Sequence, residues 1–300
     1  MKFSAVGAPC ALVALLAFSG AACGDDDPAT GGKANITTPD GGAAGDAQPT
    51  PGCGTPSPKT GLVGAQTLSV NGTSRTYQLY VPDAYDAKTA YPIVFSFHGD
   101  GGDGKSLRSG LTLEKESAGG AIFVYPDGLN KTWAIDAPAN DIAFVDAMVQ
   151  ELGKTYCTDA TRLFALGFSR GAYFANQLVC RSISGFRGVS SNSGGGPFGI
   201  GASEFDGKGN LKCPRPPIAS LVIQGSSDNN VPPSEAQKTL DYFVPANGCT
   251  TTTSATTPSP CVTYNGCAAG RPVEYCLVQG MGHEIWTNTS SVAWAFFKAL

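Results

Sequence analysis

Apolar positions along this chain fall into short runs punctuated by glycine, proline, asparagine and aspartate, and the spacing inside each run predicts its element. Residues 66–70 and 76–81 flank Asn71 and Gly72, a pair that tolerates the positive φ of a tight turn, so the region reads as an antiparallel hairpin. Mostly apolar runs at 93–97, 121–125, 162–166, 186–191, 218–224 and 273–278 predict strands of the kind a parallel sheet buries on both faces. Between them apolar residues recur at helical spacing. Ile142, Val145, Met148, Val149 and Leu152 form one stripe over 141–154, and Ala172, Phe174, Ala175, Leu178 and Val179 form another over 172–181. Residues 234–243 and 290–300 are two further helices. Strands alternating with helices predict the α/β class: a mostly parallel central sheet with helices on both faces and ligands bound beyond the C-terminal ends of its strands.

The N-terminal part departs from this pattern. Met1 and Lys2 precede an apolar stretch at 11–18 that gives way to Ser19, Gly20, Ala21, Ala22 and Cys23, which predicts a signal peptide over 1–23. The stretch is too short to span a bilayer. Small residues before Cys23 also resemble a bacterial lipobox, with Gly20 where leucine is usual, so Cys23 is either a lipid-anchored residue or the neighbour of an ordinary cleavage site. Residues 24–51 are rich in Gly, Ala, Pro, Thr and Asp with almost no large apolar side chain, and read as a disordered linker. One catalytic domain over 52–300 remains. The protein is expected to be exported, either extracellular or anchored at a bacterial membrane surface.

Composition narrows the chemistry. With 42% hydrophobic residues the 300-residue chain can bury one sizeable core, and a formal net charge of -4 without a basic cluster argues against nucleic acid as a partner. Setting Cys10 and Cys23 aside leaves eight of the ten cysteines, an even number that in an oxidising compartment predicts disulfides. Cys157 and Cys180, which bracket the strand and helix around residue 169, are the favoured pair, with the other six unassigned. No Cys-x-x-Cys occurs and there are two histidines, so no metal is expected.

Gly167, Phe168, Ser169, Arg170 and Gly171 spell Gly-x-Ser-x-Gly between the 162–166 strand and the 172–181 helix. That context makes Ser169 the candidate nucleophile of a strand-to-helix elbow; the plainer alternative is a serine capping a helix. Serine needs a general base, and the candidates are His98 and His283. Chain order in such enzymes runs Ser, acid, His, which selects His283 and leaves His98 to brace the His-Gly loop after an early strand. Among the acids between Ser169 and His283, Asp228 follows the strand at 218–224 through Gly225, Ser226 and Ser227, and is selected to orient the imidazole. The oxyanion hole is expected from the backbone N–H of Arg170 together with that of Asp100 or Gly101. A rival reading exists, because residues 99–106 satisfy Gly-x-x-x-x-Gly-Lys-Ser, the phosphate-cradling loop of nucleotide-binding proteins.

These residues, with Gly52-Cys53-Gly54, His98-Gly99, Tyr125-Pro126-Asp127-Gly128, Trp133, Asn140-Asp141 and Gly282-His283, make residues 52–300 resemble the secreted α/β-hydrolase esterases that include polyhydroxybutyrate depolymerases, feruloyl esterases and acetylxylan esterases. The resemblance implies a triad of Ser169, Asp228 and His283, an acyl-enzyme, no cofactor, and an ester substrate, either feruloyl or acetyl esters of plant polysaccharide or a polyester. Arg170 and Ala172 depart from the Asn and Gly often found there, and Asn140 from an Asp. Trp133 and Trp286 are candidate substrate-binding residues, with core packing as the plainer role. A surface-anchored binding module on an inactive hydrolase scaffold is the non-enzymatic alternative.

Overall fold

The structure is a computed structural model and describes residues 46–56 and 59–300. The expected signal peptide at 1–23, the Cys23 lipobox and the linker as far as residue 45 lie outside the described residues.

The predicted hairpin is present as β1 (Gly61–Val70) and β2 (Thr73–Val81), joined through Asn71 and Gly72, both at positive φ. The apolar runs become β3 (Tyr91–Phe97), β4 (Ile122–Pro126), β5 (Thr158–Phe168), β6 (Gly188–Asn192) and β7 (Ala219–Gly225). Two short strands that the sequence pattern missed follow, β8 (Thr253–Ala255) and β9 (Cys261–Tyr264), before β10 (Val273–Val278). All ten form one sheet in the order β1-β2-β4-β3-β5-β6-β7-β10-β9-β8. The six strands from β4 to β10 in that order pair in parallel, and antiparallel pairs extend both edges.

Helices cover the two faces, as the strand alternation requires. On β3, Ile93, Phe95 and Phe97 face one core while Val94 faces the other. The first core is closed by α3 (Ala139–Thr155), α4 (Arg170–Arg181) and α5 (Pro233–Ala246) through residues such as Phe144, Phe174 and Phe243. The second is closed by α2 (Leu113–Ser117) and α6 (Thr289–Lys298) through Leu113, Val292 and Phe297, with α1 (Gly104–Gly110) packed beside β3 and β4. This sheet order and layering is the α/β-hydrolase fold.

Two expectations need correction. The domain begins before residue 52: Gln48 N–H donates to Asp159 Oδ1 at 3.0 Å, and Thr50 N–H to the Thr158 carbonyl at 3.0 Å. This tail gains its order from hydrogen bonds to the start of β5 rather than from apolar burial, so composition gave no sign of it. The cysteines also pair differently from the expected Cys157–Cys180: the bridges are Cys53–Cys157, Cys180–Cys213, Cys249–Cys267 and Cys261–Cys276. β5 advances 11 residues at about 3.3 Å each, whereas α4 returns 12 residues at only about 1.5 Å each. Cys180 is therefore left well short of Cys157.

Candidate active site

Ser169 sits between β5 and α4 at φ 55 and ψ -125, a strained conformation for a residue with a side chain. Neighbouring glycines permit the turn. A Cβ on Gly167 would stand 2.2 Å from the Gly171 carbonyl oxygen, and one on Gly171 would stand 2.2 Å from that of Phe97. Asn192, at the end of β6, holds the elbow from the side: its carbonyl accepts the Ser169 N–H at 2.9 Å, and its side-chain amide donates to the Gly167 carbonyl at 3.0 Å. Sequence reasoning missed Asn192, because nothing local separates it from any polar strand end.

β7 and β10 are parallel neighbours, and their trailing loops interlock. Ser227 N–H donates to the Met281 carbonyl at 3.0 Å, and Gly280 N–H to Ser226 Oγ at 2.9 Å. The interlock brings Asp228 and His283 together, with Asp228 Oδ2 2.8 Å from His283 Nδ1 and His283 Nε2 2.9 Å from Ser169 Oγ. Asp228 is 2% exposed, and its second oxygen accepts the N–H groups of Val231 at 2.8 Å and Asn230 at 3.0 Å. Burial pushes the Asp228 carboxyl up, but the Val231 N–H, the His283 ring and the Asn230 N–H outweigh it and hold the group below its usual range. An ionised Asp228 accepts from Nδ1, so Nε2 is free to accept from the serine hydroxyl.

His98 stands apart from this chain. It is 2% exposed; its Nε2 accepts the Gly128 N–H at 2.9 Å and its Nδ1 lies 2.7 Å from the Gly99 carbonyl, which fixes the Nδ1–H tautomer. The ring braces the loop at 98–101 against the segment at 128–133. Gly99 lies beside the elbow, where a Cβ would come within 3.2 Å of Ser169 Cβ.

Of the expected oxyanion donors, Arg170 heads α4, where a helix's first N–H groups have no intrahelical partner, and the Asp100 N–H donates to no group among the described residues. Gly101 is a correction: its N–H donates to the Lys131 carbonyl at 2.8 Å and is committed to holding the loop. Trp133 is a second correction. The sequence offered it as a substrate platform, but it is fully buried, stacked on Phe174 at 4.8 Å, with its indole N–H donating to the His98 carbonyl at 2.9 Å. Trp286 is half-buried in the loop that carries His283.

The phosphate-loop reading fails on the same ground of committed donors. Asp103 caps α1 by accepting the Ser106 N–H at 2.8 Å, and Asp127 Oδ1 accepts the Gly104 N–H at 2.7 Å. Carboxylates of the chain itself hold the positions a phosphate would need. One turn along α4 from Ser169, Tyr173 donates to Glu235 Oε2 at 3.0 Å, a pairing between α4 and α5 that sequence reasoning also missed. Burial, and then the Glu235 carboxylate, push the Tyr173 hydroxyl up, so it remains a donor.

No protein-family model matches the chain. Its sequence is 33% identical over 266 residues to the probable feruloyl esterase C of Aspergillus niger, an alignment that covers 83% of this chain and 91% of that protein. Feruloyl esterase C of Emericella nidulans is likewise 33% identical over 266 residues, with coverage of 83% and 91%. Among solved structures, an acetyl xylan esterase from Aspergillus awamori matches with a TM-score of 0.62 at 17% identity, over 78% of this chain and 99% of that one. A ferulic acid esterase from Anaeromyces mucronatus matches with a TM-score of 0.55 at 17% identity, over 82% of this chain and 91% of that one. At such identity the structural likeness speaks for the fold alone.

Proposed function

The chain belongs to the feruloyl esterase family and is a carboxylic ester hydrolase, and from that premise we propose that it works through a serine acyl-enzyme built on Ser169, His283 and Asp228. The observation that carries this reading is the unbroken hydrogen-bonded path from Asp228 Oδ2 through His283 to Ser169 Oγ, with links of 2.8 and 2.9 Å. In the first half-reaction Ser169 Oγ attacks the ester carbonyl carbon while His283 Nε2 takes its proton. The carbonyl oxygen becomes an oxyanion that receives the N–H groups of Arg170 and Asp100. His283 then returns the proton to the departing alcohol. Water, deprotonated by the same imidazole, releases the acid and restores Ser169.

The substrate we assign is a feruloyl ester of plant polysaccharide, with acetyl esters of the same polymers as the second acyl class. The relatives' names support the feruloyl choice. We also assign contact with the aromatic acid to Trp286, three residues after His283 and partly buried against the core that α6 closes. Export, with residues 1–23 as its signal, accords with four disulfides among the described residues.

Methyl ferulate and p-nitrophenyl acetate, assayed with the parent and with Ser169→Ala, test the mechanism, alongside labelling by a fluorophosphonate. Removing the nucleophile should lower kcat by about 10³-fold or more and abolish labelling. A variant that retains activity and stays folded overturns it.

A further inference from the structure

An oxyanion hole assembled from two chain segments works only while those segments hold their spacing, because preorganised donors lose their advantage once misplaced. Here one donor heads α4 and the other lies in the loop at 98–101. The segment at 128–133 grips that loop through four bonds. Gly128 N–H donates to His98 Nε2 at 2.9 Å, Gly101 N–H to the Lys131 carbonyl at 2.8 Å, Trp133 Nε1–H to the His98 carbonyl at 2.9 Å, and the Thr132 hydroxyl to Asp100 Oδ1. The gripping segment is in turn tied to α4 by the stacking of Trp133 on Phe174 and by the Arg170 side chain. Arg170 Nε donates to the Trp133 carbonyl at 2.8 Å and lies 4.0 Å from Asp100 Oδ1.

Charge adds a second reason for that tie. Asp100 is asked to offer its N–H to a developing anion while carrying a carboxylate of its own, 65% exposed. Left to swing freely, that carboxylate would raise the energy of the oxyanion. The Thr132 hydroxyl donates to that carboxylate and Arg170 Nε lies 4.0 Å from it, so it is restrained and partly neutralised.

We propose that Arg170 is a positioning residue of the oxyanion hole, whose side chain sets the placement of the Asp100 N–H and screens the Asp100 carboxylate while its own backbone N–H serves as the other donor. This rests on the acyl-enzyme reading above and extends it to the Arg170 side chain. The departure from asparagine at residue 170 thereby gains a function, since the arginine Nε both donates to the Trp133 carbonyl and brings a positive charge to within 4.0 Å of Asp100 Oδ1.

The test compares the parent with Arg170→Gln, measuring kcat, KM and the inhibition constant of a trifluoromethyl ketone, which forms an oxyanion on the serine. A misplaced donor should lower kcat by about tenfold, leave KM within about twofold, and weaken the ketone by the same factor as kcat/KM. Adding Asp100→Asn to Arg170→Gln should regain part of the loss, because the unscreened charge is gone. Thr132→Val loosens the same carboxylate from its other side, and supplies the same measurements should Arg170→Gln fail to fold. Parent-like kcat and ketone affinity, or a fall in kcat with ketone affinity unchanged, overturns the proposal. If Ser169→Ala keeps its activity, the acyl-enzyme reading itself falls; if Ser169 is required and Arg170→Gln behaves as the parent, only the positioning role does.

Discussion

Replacing Asp228 by asparagine should silence the enzyme without unfolding it, and the reason lies in how the carboxylate is held. Its Oδ1 accepts two backbone N–H groups, from Val231 at 2.8 Å and Asn230 at 3.0 Å, so the asparagine carbonyl must take that place. Turning the amide over would leave two part-buried donors facing an NH2 group, at a cost of about 1–3 kcal/mol. The amide NH2 is therefore forced toward His283 Nδ1, 2.8 Å away in the parent. Nδ1 must then accept, the ring proton moves to Nε2, and Nε2 presents a proton to Ser169 Oγ where the reaction needs a lone pair. Wrong tautomer and lost imidazolium stabilisation together should lower kcat by about 10⁴-fold, about 5.5 kcal/mol of barrier, with KM within a few-fold. Initial rates on methyl ferulate and the rate of fluorophosphonate labelling measure this, with circular dichroism confirming the fold. A loss of less than about tenfold in a folded variant would refute the locked-amide argument.

Two further outcomes follow from buried partners. Trp133→Phe removes the indole N–H from the His98 carbonyl and should destabilise the fold by about 1–3 kcal/mol in thermal melts, while the ratio of feruloyl to acetyl ester turnover stays at the parent's value; a changed ratio would return Trp133 to the substrate. Asp159 is drawn upward by burial but more strongly downward by the Thr161 hydroxyl, Arg162 and the N–H groups of Thr161 and Gln48, so its folded carboxyl titrates below the usual 3.8. A depressed folded value means that its stabilisation is complete above that pH and vanishes as pH falls through the folded value. Asp159→Asn should cost about 1–3 kcal/mol at neutral pH, and the gap should close under acid; a gap that persists there would count against the ion pair with Arg162.

Much of this architecture was legible because burial leaves a mark on sequence. The strand Ile122–Pro126, buried at every position, is apolar throughout, and α3 carries a stripe. Chain order and strand ends led to Ser169, Asp228 and His283, which the structure brings within hydrogen-bond reach. What escaped detection depends on partners distant in sequence. β8 is exposed at all three positions and β9 is held by strand pairing and the Cys261–Cys276 bridge, so neither needs an apolar pattern. The fates of the Gly101 N–H and the Trp133 indole were decided by Lys131 and His98, and no local rule distinguishes an N–H that faces solvent from one already committed.

The three residues of the proposed triad hang from β5, β7 and β10, and the serine and histidine that must meet lie 114 positions apart. Closing so long a loop is entropically costly, and contacts of such range tend to form late in folding. A partly assembled chain, lacking its final parallel strand, holds a serine with no base. If the proposed triad carries the reaction, turnover is a witness to the whole assembly, since a molecule that cleaves an ester through His283 has already laid its last parallel strand in place.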